Sequence, residues 1–276
     1  MSRKLMIALF ALVFLIGLSI LLYPTVADYY NSMRQSRAVE DYFRAVDNLT
    51  EEDYTELFEA AREYNEKLRE NPDRFRMSDE ENAHYRSLLN PNGRGAIGTL
   101  EIDAIDIHLA IYHGTDEGVL QIALGHLEGS SLPVGGLGTH SVISGHRGLP
   151  TSTLLTNLDR MVLGDTFRIN VLKETLTYKV DNIMIVEPYE TAALVIVEDA
   201  DYCTLVTCTP IGINTHRLLV RGHRTANEET EVHRPVQRPS GARVLAGARA
   251  ALLLLVPATT VILVRLFIRL RRVYKR

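Results

Sequence analysis

The chain has 276 residues, 46% hydrophobic and 23% charged, a composition that supports a packed core and is far from that of a disordered tail. Its formal net charge of −4 conceals an asymmetry: residues 1–22 hold two bases and residues 243–276 hold eight, with no acid in either segment. All 34 acids therefore fall between them against the remaining 20 bases, net −14, which argues against nucleic acid as a partner of that region.

In chain order, Leu5–Leu22 is an apolar run broken only by Gly17 and Ser19, and as a helix it spans roughly 27 Å, the depth of a hydrocarbon core. It exceeds the apolar stretch of a cleaved signal and lacks a small-x-small site before Tyr23-Pro24, so residues 1–24 read as a basic cytoplasmic end and a transmembrane anchor. Residues 25–94 read as helical. Thr50-Glu51-Glu52-Asp53 and Ser78-Asp79-Glu80-Glu81 have the form of capping boxes, and Tyr54, Leu57, Phe58, Ala61, Tyr64 and Leu68 recur on one helical face. Asn71-Pro72-Asp73-Arg74-Phe75 breaks the pattern between them.

From Gly95 the period changes. Short β-branched runs at 97–102, 107–112, 140–144, 166–171, 176–186, 202–209 and 217–220, separated by Gly, Pro, Asn or Asp, predict a closed or sandwiched, antiparallel-rich sheet over 95–224. Residues 225–245 read as a polar tether. Residues 246–268 form a second apolar span, with Arg249 and Arg265 placed to snorkel, and 269–276 a basic tail. Basic flanks at both ends favour the cytoplasm, so the expected topology is a two-pass cell-membrane protein with both termini cytoplasmic and the acidic domain outside.

Cys203 and Cys208 are the only cysteines. Both lie in one β-rich run, where five steps cover roughly 16 Å, too far for a disulfide within it. Cys208, at the end of that run before Thr209-Pro210, is the candidate nucleophile; a thiol of ordinary pKa needs a base or a cationic neighbour to attack efficiently. His146, in Ser144-Gly-His-Arg-Gly-Leu149, could exchange the proton. Arg217, beyond the turn Pro210–Asn214, would return beside Cys208 in a hairpin, where its fork suits an oxyanion. Alternation turns His216 away from Arg217. His140, His146, His216 and His223 lack compact metal-ligand spacing, so neither a metal nor a cofactor is expected. Taken singly, these residues also fit a tethered, non-enzymatic surface scaffold with a buried cysteine.

Together the segments resemble the sortases, membrane-tethered cysteine transpeptidases of Gram-positive bacteria, and specifically their pilus-assembling class C. Thr204-Leu-Val-Thr-Cys208 is similar to the family's Thr-Leu-x-Thr-Cys signature, His140–Pro150 to its histidine segment, Gly212–Gly222 to its arginine segment, and Ile107–Thr115 completes the order. The resemblance implies a mainly β fold, an eight-stranded sortase β-barrel with an N-terminal helical region and two flanking transmembrane helices. It implies Cys208 as nucleophile, His146 as proton-transfer partner, Arg217 as oxyanion stabiliser, and Thr207 beside the substrate. It further implies cleavage of a Leu-Pro-x-Thr-Gly-like sorting signal on pilin subunits or surface proteins, through a thioacyl intermediate resolved by a pilin lysine. A housekeeping-type enzyme using cell-wall amines is the alternative. Class C members often carry an Asp-Pro-aromatic lid. Its counterpart here is Asn71–Phe75, with Asn before Pro72 and the aromatic displaced, so the segment is either a lid, with Asp73 reaching Arg217 and Phe75 covering Cys208, or an ordinary interhelical loop.

Overall fold

The computed structural model describes residues 3–227; the second apolar span (246–268), the basic tail (269–276) and all but the start of the tether lie outside the described residues. The described residues fall into two compact units divided between Ser32 and Met33. The first holds the apolar part of helix α1 (Arg3–Asp47), which has a mean hydropathy of 3.0 over its best window, none of it buried, and is long and apolar enough to cross a membrane. The boundary drawn at residue 24 falls inside this helix. Pro24 removes one N–H and crowds one carbonyl, and the turns on either side stay helical.

In the second unit, α2 (Glu51–Arg69) and α3 (Asp79–Ser87) begin at the expected capping boxes. The Thr50 hydroxyl accepts from the Asp53 N–H and the Ser78 hydroxyl from the Glu81 N–H, while each carboxylate returns to its cap's backbone N–H. The helical face of α2 buries Ala61, Tyr64 and Leu68, with Tyr54, Leu57 and Phe58 partly covered at its edge. Polar groups fasten these helices. Asn65 on α2 donates to the Leu132 carbonyl and accepts from the Leu132 N–H, and the buried Tyr42 hydroxyl at the end of α1 donates to the Ile97 carbonyl and accepts from the Leu172 N–H.

Eight strands close into a barrel: β1 (Ala96–Ile102), β2 (Ile107–His113), β3 (Leu124–His126), β4 (Thr139–Ser144), β5 (Thr166–Val171), β6 (Glu174–Val186), β7 (Asp201–Thr209) and β8 (His216–Thr225), in spatial order β1-β2-β3-β4-β7-β8-β6-β5. A four-residue helix, α4 (Glu117–Leu120), precedes β3. The pairs β2/β3 and β4/β7 are parallel and the rest antiparallel. The mainly β expectation holds, with two differences. Strand β3 is too short to show alternation, and β8 runs on to Thr225 because Arg221–Thr225 still pair with β6 although their composition is polar.

Alternation divides the wall formed by β4, β7 and β8. Ile143, Cys203, Leu205, Leu218 and Val220 face the main core, while Val142, Val206 and Leu219 face outward into a smaller cluster covered by Leu194. Three buried histidines carry the packing's main pH dependence: burial pulls His113 down to about 4, His126 to about 3 and His140 to about 4. Because these folded-state values lie below the ordinary histidine value, the unfolded chain binds more protons between them, so this stability is complete above about pH 6.5 and lost as pH falls toward about 4. Asp201, raised by burial, pulls the other way, while His108, lowered by desolvation, adds to the histidines' effect. The urea midpoint of the full-length protein in detergent should drop between pH 7.5 and pH 5.0; an unchanged or higher midpoint at pH 5.0 would show that these imidazoles are not held neutral.

Candidate active site

Cys208 lies next to last in β7, on the strand's outer face, and its register partner is Arg217, the second residue of β8. Strand β4 runs parallel to β7 with Ser144 opposite Val206, and the chain is stitched to β7 one step further: Gly145 donates its N–H to the Val206 carbonyl and accepts from the Thr207 hydroxyl. His146 follows at once. Gly145 is required by close approach, since a Cβ there would lie 2.6 Å from a Leu124 methyl and 2.8 Å from Leu155 Cγ. Thr207 is buried, with its hydroxyl engaged in fixing the histidine segment.

His146, Thr207, Cys208 and Arg217 all line one cleft of about 710 Å³, floored by Val142, Val206 and Leu219 and walled by the β6–β7 connection around Pro188–Thr191. The cleft lies on the outer wall of the barrel near the strand ends. Arg217 donates to the carbonyls of Asn214 and His216 from one guanidinium nitrogen, leaving its other donors for a ligand. His216 lies outside this lining and pairs with Glu187 at 3.3 Å. His140 is buried in hydrogen bonds with the Val195 carbonyl and the Thr204 hydroxyl, and His223 lies 3.7 Å from Asp181. The two thiols are separated as alternation requires: both are free, Cys203 buried in the core with its pKa pushed well up by desolvation, Cys208 half-buried in the cleft.

The segment Asn71–Phe75 joins α2 to α3 beside this cleft. Phe75 and Met77 line it together with Arg217, whereas Pro72 and Asp73 are exposed and outside its lining. The fastening comes from Arg74, to which the sequence reading gave no role. Its buried guanidinium donates to the Gly129 carbonyl at 3.0 Å and the Leu194 carbonyl at 2.8 Å and lies over the Phe75 ring, 4.5 Å from its centre. Burial without a carboxylate pulls its pKa below the ordinary arginine value. Gly129, at φ +82°, admits the loop because a Cβ there would meet the Arg74 carbonyl oxygen at 2.3 Å. The only sequence signal for this contact is an arginine placed between two capping boxes and next to an aromatic.

A barrel wall that carries a thiol, an imidazole and a guanidinium on one apolar-floored cleft has the makeup of a cysteine-dependent acyltransferase. Known proteins agree. The family model described as Sortase domain matches residues 100–225. Sortase C1 from Streptococcus agalactiae is 48% identical, with 70% of this chain and 100% of that one covered at a TM-score of 0.67. Clostridium perfringens sortase C, solved with the C-terminal cell wall sorting motif, is 40% identical over 70% of this chain and 100% of its own, TM-score 0.61. Sortase D of Bacillus subtilis is 28% identical over 51% of this chain and 70% of its own length. The chain belongs to the sortase family of cysteine transpeptidases, and its structural neighbours include pilus sortases of class C.

Removing the Arg74 fastening should free the loop. In Arg74→Ala, alkylation of Cys208 by a bulky maleimide should accelerate at least about fivefold, as expected on losing two charged hydrogen bonds. An unchanged rate would remove Arg74 as the loop's anchor.

Proposed function

We propose that the chain is a membrane-anchored transpeptidase that cleaves a Leu-Pro-x-Thr-Gly-like sorting signal and joins the acyl fragment to a lysine amine of a pilin, polymerising pili. The reading rests on one observation above all: Cys208, Arg217 and His146 come from three segments of the chain and line a single cleft. Family membership supports the cysteine chemistry, and the class C neighbours support pilin as the substrate class.

In this reading the Cys208 thiolate attacks the Thr carbonyl, Arg217 takes the developing oxyanion, and collapse breaks the Thr–Gly amide as His146 hands a proton to the departing amine. A thioester to Cys208 remains. The lysine amine then attacks it, giving a proton to His146; the isopeptide bond forms and thiolate is released. The hydrophobic floor suits the signal's leucine side. Thr207 supports His146 through Gly145, and Phe75 with Met77 forms a lid over the cleft in which Pro72 and Asp73 shape the turn. The apolar part of α1 anchors the domain. With the basic segment 269–276 and the span 246–268, it gives a two-pass cell-membrane protein with both ends cytoplasmic and the catalytic domain facing outward.

Full-length protein in detergent, given a sorting-signal peptide and a pilin lysine donor, should yield an isopeptide-linked product. Cys208→Ala should abolish it, and His146→Ala or Arg217→Ala should slow it by on the order of 10²–10⁴. Hydrolysis product alone, or full activity in His146→Ala, would contradict the reading.

A further inference from the structure

The His146 imidazole is approached from one side by a carboxylate that the reaction above leaves without a role. Its Nε2 is sealed from solvent and, among the described residues, makes no hydrogen bond. Among the described residues, the one carboxylate within 4 Å of it is that of Glu117, whose Oε2 stands 3.7 Å from Nε2. Glu117 opens α4, and its other oxygen accepts from the side-chain amide of Gln121, one turn on. That bond fixes the rotation of the carboxylate, so Oε2 is the oxygen turned to the ring.

The two residues are held on adjoining elements. The Ala123 N–H bonds to the Val119 carbonyl and carries α4 straight into β3. Gly125 of β3 pairs with Ser144 of β4, two residues before His146. An imidazole whose Nε2 has no partner has no tautomer fixed from that side, a poor state for a group that must move a proton in a set direction.

We propose that Glu117 is a positioning residue for His146: its carboxylate accepts a hydrogen bond from Nε2–H when a peptide fills the cleft, which leaves Nδ1 as the nitrogen that exchanges protons with the reacting atoms. At rest the Glu117 side chain is 74% exposed, and at 3.7 Å the pair is weak in water. A bound peptide excludes that water, and the closed contact becomes a charge-assisted hydrogen bond of about 2.8 Å. The proton balance is unchanged. Nδ1 takes the thiol proton, gives it to the departing amine and later takes one from the incoming lysine, and whenever the ring is cationic the carboxylate faces it.

The inference rests on the transpeptidase reading, and its test separates the two. In full-length protein, Glu117→Gln keeps the residue's size and removes its charge. Expected is a fall in kcat on the order of tenfold with KM for the sorting-signal peptide unchanged. Glu117→Asp, which keeps the charge on a shorter stem, should retain more activity than Glu117→Gln. Added to His146→Ala, Glu117→Gln should cost nothing further, since the group it orients is gone. An unchanged kcat, a loss expressed only in KM, or an equal loss on the His146→Ala background would overturn the role. If transfer depends on Cys208 yet ignores Glu117, only this inference fails; if transfer survives Cys208→Ala, the transpeptidase reading itself fails.

Discussion

The pairing register of β7 is the constraint on which the site depends. Cys203 and Cys208 are five residues apart, an odd spacing that sends one thiol into the barrel core and the other out to the cleft. A slip of one residue would bury Cys208 and expose Cys203 while turning Leu205 out to solvent. The core therefore enforces the position of the Cys208 thiol. The same register fixes its neighbour, because Cys208 opposite Arg217 and Val206 opposite Leu219 are successive outward-facing pairs of one antiparallel ladder.

His146 is brought in by a different device. It lies past the end of β4, beyond the reach of the ladder, and two hydrogen bonds between Gly145 and β7 extend the parallel pairing by one residue. The packing of Leu124 and Leu155 against that glycine then sets the height of the segment. The helical region is docked by the same means, through Asn65 and Tyr42, whose side chains satisfy backbone groups buried where helix meets barrel. Arg74 extends the pattern to the cleft itself, a buried cation held by carbonyl oxygens rather than by an acid.

How much of this was legible in the sequence follows from how local each feature is. Capping boxes at Thr50 and Ser78 and the alternating runs that became seven of the strands are written within a few residues, and they appear where expected. Strand β3, with three residues, has no period to detect, and it forms because β2 and β4 offer it backbone partners. Cys208, His146 and Arg217 stood out as candidates at strand ends and turns, and only the resemblance to the sortases tied them into one set. Which residue of Asn71–Phe75 would turn inward was not legible, because that depends on Gly129 and Leu194, more than fifty residues away. There the sequence left a lid and an ordinary loop open and gave Arg74 no part in either, whereas the structure buries Arg74. The approach of Glu117 to His146 was hidden for the same reason: it joins helix α4 to the segment after β4, which only the β3–β4 pairing brings together.

The central claim, that the outward thiol of β7 is the group that captures the peptide, has one direct test. Mass spectrometry of the full-length protein after brief exposure to a sorting-signal peptide without an acceptor amine should find the acyl fragment as a thioester on Cys208, with Cys203 unmodified. Peptide cleaved with no adduct on Cys208, or an adduct on any other residue, would contradict the account.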